Sequence, residues 1–449
     1  MKSRNSKLIY FAFAAAVTLL LPGCSGSQPN AGMGGVLLAL LVALVAAKLG
    51  GELFVRIGQP AVLGELVIGI VVGNLALAGY HGLDFIAHDP SIEVLAELGV
   101  ILLLFQVGLE SDLTESMKVG ASSLLVAALG VIVPVLLGFG VSTLFLPDAG
   151  VYVHLFIGAT LSATSVGITA RVLRDMAATK RPEALIILGA AVIDDVLGLI
   201  LLAIVQGAIT ASNSGNSMPA WGLILVILKA ALFLIGAPLI GRRLAPKVFK
   251  FVARMKSQDL LLITALATCF GFAYLASLIG LAPIVGAFAA GIVLEEAHWR
   301  DLTRRGEHSL NTLMAPLVGF LVPVFFFRMG AGVSLSKLFH PNALLLAAAL
   351  TVAAILGKQV CGLGVLQKGL DRLSVGIGMI PRGEVGLIFA AIGSTLLLDG
   401  KPVIEPTVFS ALVIMVVFTT MATPSMLKWS MSRGRRKQEQ SQLTSKQAK

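Results

Sequence analysis

The sequence predicts an all-α polytopic membrane protein: thirteen transmembrane helices in two inverted six-helix repeats, with two crossed discontinuous helices. Three observations predict it. The chain has 449 residues, 57% of them hydrophobic and only 13% charged, with a mean hydropathy of +0.92, more apolar surface than a soluble domain of this length could hide. A glycine pattern recurs at a fixed offset in the two halves. Two segments in corresponding places lose their apolar character midway.

Residues 1–24 read as a leader: Lys2, Arg4 and Lys7, an apolar run from Leu8 to Leu21, then Pro22-Gly23-Cys24. The last residues approach a lipoprotein cleavage box, with Pro22 as a departure, so lipidation of Cys24, ordinary cleavage and retention as an anchor all stay open. Thirteen segments follow, near 34–55, 61–79, 92–110, 119–146, 151–174, 182–210, 219–241, 258–278, 281–295, 311–334, 342–366, 372–398 and 404–429. They form a transmembrane exchanger domain over 34–430. Core helices are expected near 92–210 and 311–429, and scaffold helices near 34–79 and 219–295. A basic cytoplasmic tail, 431–449, ends the chain.

The net charge of +10 and pI near 9.6 would suggest nucleic acid in a soluble protein. Here the positive-inside rule explains them, and no nucleic-acid partner is expected. Stretches 171–181, 242–256, 300–305 and 368–372 hold fifteen Lys and Arg, whereas the five loops on the other side hold only Lys337 and Lys401. The mature N-terminus is therefore expected outside and the C-terminus in the cytoplasm. Three scattered cysteines give neither a disulfide framework nor a zinc site.

Gly64-Glu-Leu-Val-Ile-Gly69-Ile-Val matches Gly286-Ala-Phe-Ala-Ala-Gly291-Ile-Val, and the same offset aligns Phe105, Gly108 and Leu113 with Phe327, Gly330 and Leu335. The offset spans seven segments, an odd number, so the copies lie in opposite orientations, as in secondary transporters. The repeat relates segment 5, with Gly158-Ala-Thr-Leu-Ser-Ala-Thr-Ser-Val-Gly-Ile168, to segment 12, with Gly378-Met-Ile-Pro-Arg-Gly-Glu-Val-Gly386. Pro381 cannot continue a helix, and paired interruptions of this kind point to a midplane site where the breaks cross near Thr164 and Gly383.

Segment 6 carries Asp194 and Asp195 in the middle of an apolar run. One central Asp costs roughly 2.5–3.5 kcal/mol on insertion scales, so two in a row ask for a function. Carboxylate oxygens suit a hard cation or a proton, which makes a cation site the expected reading over a purely structural pair. Lys358, inside segment 11, either reaches this site or snorkels to the interface. Arg382 and Glu384 flank Gly383 in the second break, where a structural ion pair, with Glu65 as a further carboxylate, competes with a transport role. Glu65 reads chiefly as a packing group, His154 as an ordinary lone histidine, and Phe325-Phe-Phe327 as lipid contact or packing.

The motifs Gly64–Gly69, Leu102–Gly108, Ser162-Ala-Thr-Ser165, Asp194-Asp195, Gly357-Lys358 and Pro381–Gly386 resemble the second cation:proton antiporter family, and within it the NapA-like sodium/proton exchangers. The resemblance covers roughly 34–430 and implies an NhaA/NapA-like fold and a homodimer in the lipid bilayer. It assigns Asp195 as the carboxylate that takes Na⁺ or H⁺, Asp194 as the partner of Lys358, and Thr164 and Ser165 as oxygen donors at the crossing. No regulatory nucleotide-binding domain follows segment 13, unlike the glutathione-gated potassium/proton relatives.

The expected function is exchange of Na⁺, or Li⁺, for H⁺ across a bacterial inner membrane by alternating access, with an electrogenic cycle. An electroneutral K⁺/H⁺ exchanger is the alternative within transport. A cation channel or a membrane enzyme is the alternative outside it, and neither a filter repeat nor a nucleophile–base motif supports one. No cofactor is expected beyond the transported ions.

Overall fold

The computed structural model describes residues 33–110, 120–176, 178–213, 220–252, 255, 260–294, 309–338, 341–367 and 369–447. The leader with Cys24, the stretch 300–305 and Leu113 lie outside the described residues. In chain order the long elements are α1 (Met33–Arg56), α2 (Ala61–Gly73), α3 (Pro90–Glu110), α4 (Ala121–Phe145), α5 (Val151–Ser162), α6 (Val166–Asp175), α7 (Pro182–Asn213) and α8 (Ala220–Val252). There follow α9 (Leu260–Leu278), α10 (Pro283–Val293), α11 (Leu310–Ala331), the single turn α12 (Leu335–Leu338), α13 (Pro341–Gln359), α14 (Arg372–Gly378), α15 (Gly383–Thr395) and α16 (Pro406–Gln447). A two-residue hairpin, β1 (Leu397–Leu398) with β2 (Lys401–Pro402), links the last two helices.

The protein is an all-helical membrane protein. Among the described residues nine helices are long and apolar enough to span a bilayer, and a tenth is added if α14 and α15, bent by 45° at their break, count as one. The helices α2 and α10 are shorter apolar elements.

The helices pack in two groups. In one, α3 lies on α10 and α11, α11 on α2, α1 on α2, and α9 on α10. In the other, α4 lies on α5, α7 and α13, and α13 and α15 lie on α16. Between them, α8 contacts α10 and α7. This differs from the expected grouping, which put 92–110 and 311–334 with the core helices. The reason lies in bare glycine backbones. A Cβ at Gly108 would collide with the carbonyl of Phe288 on α10, and one at Gly291 with that of Phe105 on α3. Gly69 and Gly330 make the same exchange between α2 and α11, against the carbonyls of Phe327 and Leu66. Backbone contact this close holds α3 and α11 to the first group.

Phe325, Phe326 and Phe327 are buried, so their role is packing rather than lipid contact. His154 is buried too, with Nδ1 2.7 Å from Ser142 Oγ and its ring edge-on to Phe139.

Candidate functional site

Segment 5 breaks between α5 and α6, over Ala163–Ser165, and segment 12 between α14 and α15, over Met379–Arg382. The two breaks meet: the Ser165 N–H donates to the carbonyl of Pro381 at 2.7 Å. Gly383, at φ +41°, turns the chain into α15, and a side chain there would run into Ser165. Two helix C-termini and two helix N-termini therefore end inside the protein, with opposite partial charges side by side.

Arg382 and Glu384 serve this crossing. Arg382 is fully buried, donating from Nη1 to the Ala163 carbonyl at 3.3 Å and from Nη2 to the Ala354 carbonyl at 2.9 Å. The first of these covers the bare C-terminal end of α5, where a cation is favoured. Glu384 sits in the first turn of α15, where an anion is favoured, and accepts from Ser165 Oγ at 2.7 Å. Among the described residues no ion pair joins Arg382, Glu384 or Glu65, so the expected structural pair is replaced by bonds to carbonyls and a hydroxyl. The Ala163 carbonyl stands at the end of α5, where no helical N–H follows to bond it, and the Glu384 carboxylate is held by Ser165. Glu65 lies in α2 against Gly51 of α1, in the other helix group.

Helix α7 runs unbroken through Asp194 and Asp195. Neighbouring residues on a helix point about 100° apart, so the two carboxylates face different partners. Lys358 Nζ donates to Asp194 Oδ1 at 2.9 Å, with the two side chains 0% and 1% exposed. Snorkelling is thus ruled out for Lys358. Its position follows from Gly357, whose missing side chain lets α13 close onto Pro134 of α4. Asp195 is 9% exposed and lies within electrostatic range of Asp194, Glu384 and Lys358.

Among the described residues, Asp194 Oδ2, Thr164 Oγ1 and Arg382 Nε are buried polar atoms that make no hydrogen bond of ordinary geometry. Thr164 lies beside Asp194, with its hydroxyl within reach of the carboxylate. Two adjacent buried carboxylates beside a hydroxyl oxygen are a set of hard donors that fits a hard cation as substrate.

The chain matches the family model described as "Sodium/hydrogen exchanger, transmembrane" over residues 36–433. It belongs to the sodium/hydrogen exchanger family. This exchanger is 38% identical over 442 aligned residues to the "High-affinity Na(+)/H(+) antiporter NhaS3" of Synechocystis sp., covering 91% of this chain and 92% of the relative. It is 36% identical to the "Na(+)/H(+)-K(+) antiporter GerN" of Bacillus cereus, covering 86% and 94%. In fold it is similar to the sodium proton antiporter MjNhaP1 of Methanocaldococcus jannaschii, with a TM-score of 0.66 and 18% identity over 89% of this chain and 98% of the other. Members of this family are transporters rather than enzymes.

Two features escape sequence reasoning. A cavity of about 210 Å³ opens between the helix groups, lined by Glu93, Glu97 and Arg328 on one side and Gln206 and Thr395 on the other. Arg328 pairs with Glu93 at 2.9 Å. In the sequence these charges sit at segment ends and look like ordinary interfacial residues. The second is Gly130 of α4, where a Cβ would lie 3.2 Å from Lys358 Nζ, and no chemical property marks it in the sequence.

Proposed function

We propose that this exchanger is a secondary active antiporter that trades Na⁺ for H⁺ across a bacterial inner membrane by alternating access. The observation that carries the reading is the buried Lys358–Asp194 pair beside Asp195, at the crossing of two broken helices. In this reading Asp195 is the carboxylate that takes either Na⁺ or H⁺. Thr164, Ser165 and the second carboxylate oxygen of Asp194 supply further ligands, with Lys358 as the coupling cation and Arg382 and Glu384 holding the crossing in register. Cation binding draws Asp194 from Lys358, whose proton leaves together with that of Asp195. One Na⁺ then exchanges for two protons, and the cycle is electrogenic.

The full architecture in this proposal is thirteen spans, with α2, α8 and α10 crossing as well, related by an inverted repeat. Its support is reciprocal: the Gly69–Gly330 contact of α2 with α11 matches the Gly291–Gly108 contact of α10 with α3 at the sequence offset. Gly64 against Gly50, and Gly286 against Phe272, extend the match. The group of α1–α3 and α9–α11 acts as the scaffold and dimer contact, and the group of α4–α7 and α13–α16 as the moving core. The N-terminus lies outside and the C-terminus inside, on the charge distribution.

The decisive assay is collapse of a preformed pH gradient in inverted vesicles on addition of Na⁺, Li⁺ or K⁺. Na⁺-dependent collapse is expected. A response to K⁺ alone would replace Na⁺ by K⁺ as the substrate, and no response to any of the three would sink the antiport reading. The K⁺ arm is included because the Bacillus cereus relative carries K⁺ in its name.

A further inference from the structure

The chain passes from the first helix group to the second between α11 and α12, and that passage is held from both sides. Gly73, the last residue of α2, lies so close to Ala331 of α11 that a Cβ there would collide with its backbone. Asn74 follows it and reaches over the passage. Its Nδ2 donates to the Val333 carbonyl at 2.7 Å and to the Ile70 carbonyl of its own helix at 2.8 Å, and its Oδ1 accepts from Leu335 N–H at 3.0 Å. Two carbonyls and one N–H leave the amide a single orientation and use both of its donor hydrogens. The residue between these contacts is held by the other group. Ser334 N–H donates at 3.0 Å to Oγ of Ser410, a buried residue of α16. That hydroxyl is oriented by its own bond to the Pro406 carbonyl at 2.8 Å. Beyond Leu335 the turn α12 packs on α13 and α16. Val333, Ser334 and Leu335 are therefore bonded to α2, to α16 and to α2 again.

We infer that Val333–Leu335 is a pivot about which the two helix groups turn, with Asn74 and Ser410 as its pins, which makes Asn74 a positioning residue for the exchange cycle. Sliding here would break the three hydrogen bonds to the passage in every cycle, whereas turning about it keeps all three. Distances beside a pivot stay constant, and displacement grows with distance from it. Gly332 stands beside it, and a Cβ there would lie 3.5 Å from the Phe409 ring of α16. The deep part of the cavity stands away from it. Gly99 of α3 packs on Leu321, ten residues or about 15 Å of helix before α11 ends at Ala331. The next residue, Val100, lines the cavity from the first group, and Ala391 of α15 lines it from the second. The inference rests on the exchange reading above, in which the groups move against one another.

The test uses the full-length protein with its native cysteines replaced by alanine and one new pair at a time. Gly332→Cys with Phe409→Cys sits beside the pivot, and Val100→Cys with Ala391→Cys spans the cavity. Na⁺-dependent proton flux in proteoliposomes is followed before joining each pair with a short thiol-specific cross-linker, after joining, and after reduction. Joining 332 to 409 is expected to leave exchange intact, and joining 100 to 391 to stop it until the link is reduced. Loss of flux on joining the first pair, restored by reduction, overturns the pivot. If flux survives joining the second pair as well, the groups do not move against one another, and the alternating-access reading fails together with the pivot. Should Phe409→Cys not fold, Asn74→Ala decides. Its maximal rate should fall roughly threefold to tenfold, the scale of one lost hydrogen bond, while the Na⁺ concentration for half-maximal thermal stabilisation stays unchanged. An unchanged rate, or a Na⁺ midpoint shifted by the same factor, overturns the pinning role.

Discussion

The N–H of Ser165 donates to the carbonyl of Pro381 at 2.7 Å, tying together two helix breaks from opposite halves of the chain. Backbone groups freed inside a membrane protein must be paired within it, and here the two breaks pair with each other. Arg382, Glu384 and the Thr420 hydroxyl, which accepts from Gly383 N–H at 3.2 Å, complete the arrangement. The crossing stands beside Asp194 and Asp195, so perturbing either part should be felt by the other.

Asp195→Asn should abolish Na⁺-dependent proton flux while the protein stays folded. Asn keeps the shape and one carbonyl oxygen but cannot hold the charge for which Na⁺ and H⁺ compete. Flux in proteoliposomes, checked against an unchanged size-exclusion profile, decides it. Substantial residual exchange removes Asp195 from the mechanism.

Competition predicts a pH dependence of definite sign. As pH falls, protons occupy the site and the apparent KM for Na⁺ should rise. The slope on the acid side is about tenfold per pH unit for one competing proton and about a hundredfold for two, by linkage. A slope of one, together with an initial rate indifferent to an imposed K⁺/valinomycin potential, would make the exchange electroneutral and Asp194–Lys358 a structural pair.

Breaking the buried pair on one side should destabilise the protein more than removing both partners. Lys358→Met leaves Asp194 buried and unpaired, at a cost on the order of 3–5 kcal/mol, and Asp194→Asn added to it should recover much of that. Thermal melts of the two singles and the double measure the coupling. Additive losses would mean that the 2.9 Å contact contributes little.

Arg382→Lys should fail to replace the arginine. The guanidinium reaches two carbonyls on different elements, Ala163 and Ala354, and one ammonium on a thinner stem cannot span both. The buried carbonyl left without its donor costs about 1–3 kcal/mol, so both the melting temperature and the exchange rate should fall. Wild-type behaviour of Arg382→Lys would show that the fork geometry is dispensable.

The sequence by itself determined the solvent, the helices and the two helix breaks. Apolar composition leaves a long chain no home but a bilayer, and Pro381 and the polar run Ser162–Ser165 disrupt their helices wherever those helices lie. The adjacent carboxylates were conspicuous because charge at the centre of an apolar span is costly. Tertiary structure decided which groups meet. Arg382 two residues from Glu384 in sequence suggests an ion pair, yet in the fold Arg382 donates to the carbonyls of Ala163 and Ala354 while Glu384 accepts from the Ser165 hydroxyl. The assignment of α3 and α11 to the first helix group depends on glycines whose role is steric, and a missing side chain carries no chemical label in the sequence. Gly130 shows the same limit: only the packed helices reveal that the Lys358 ammonium rests on it.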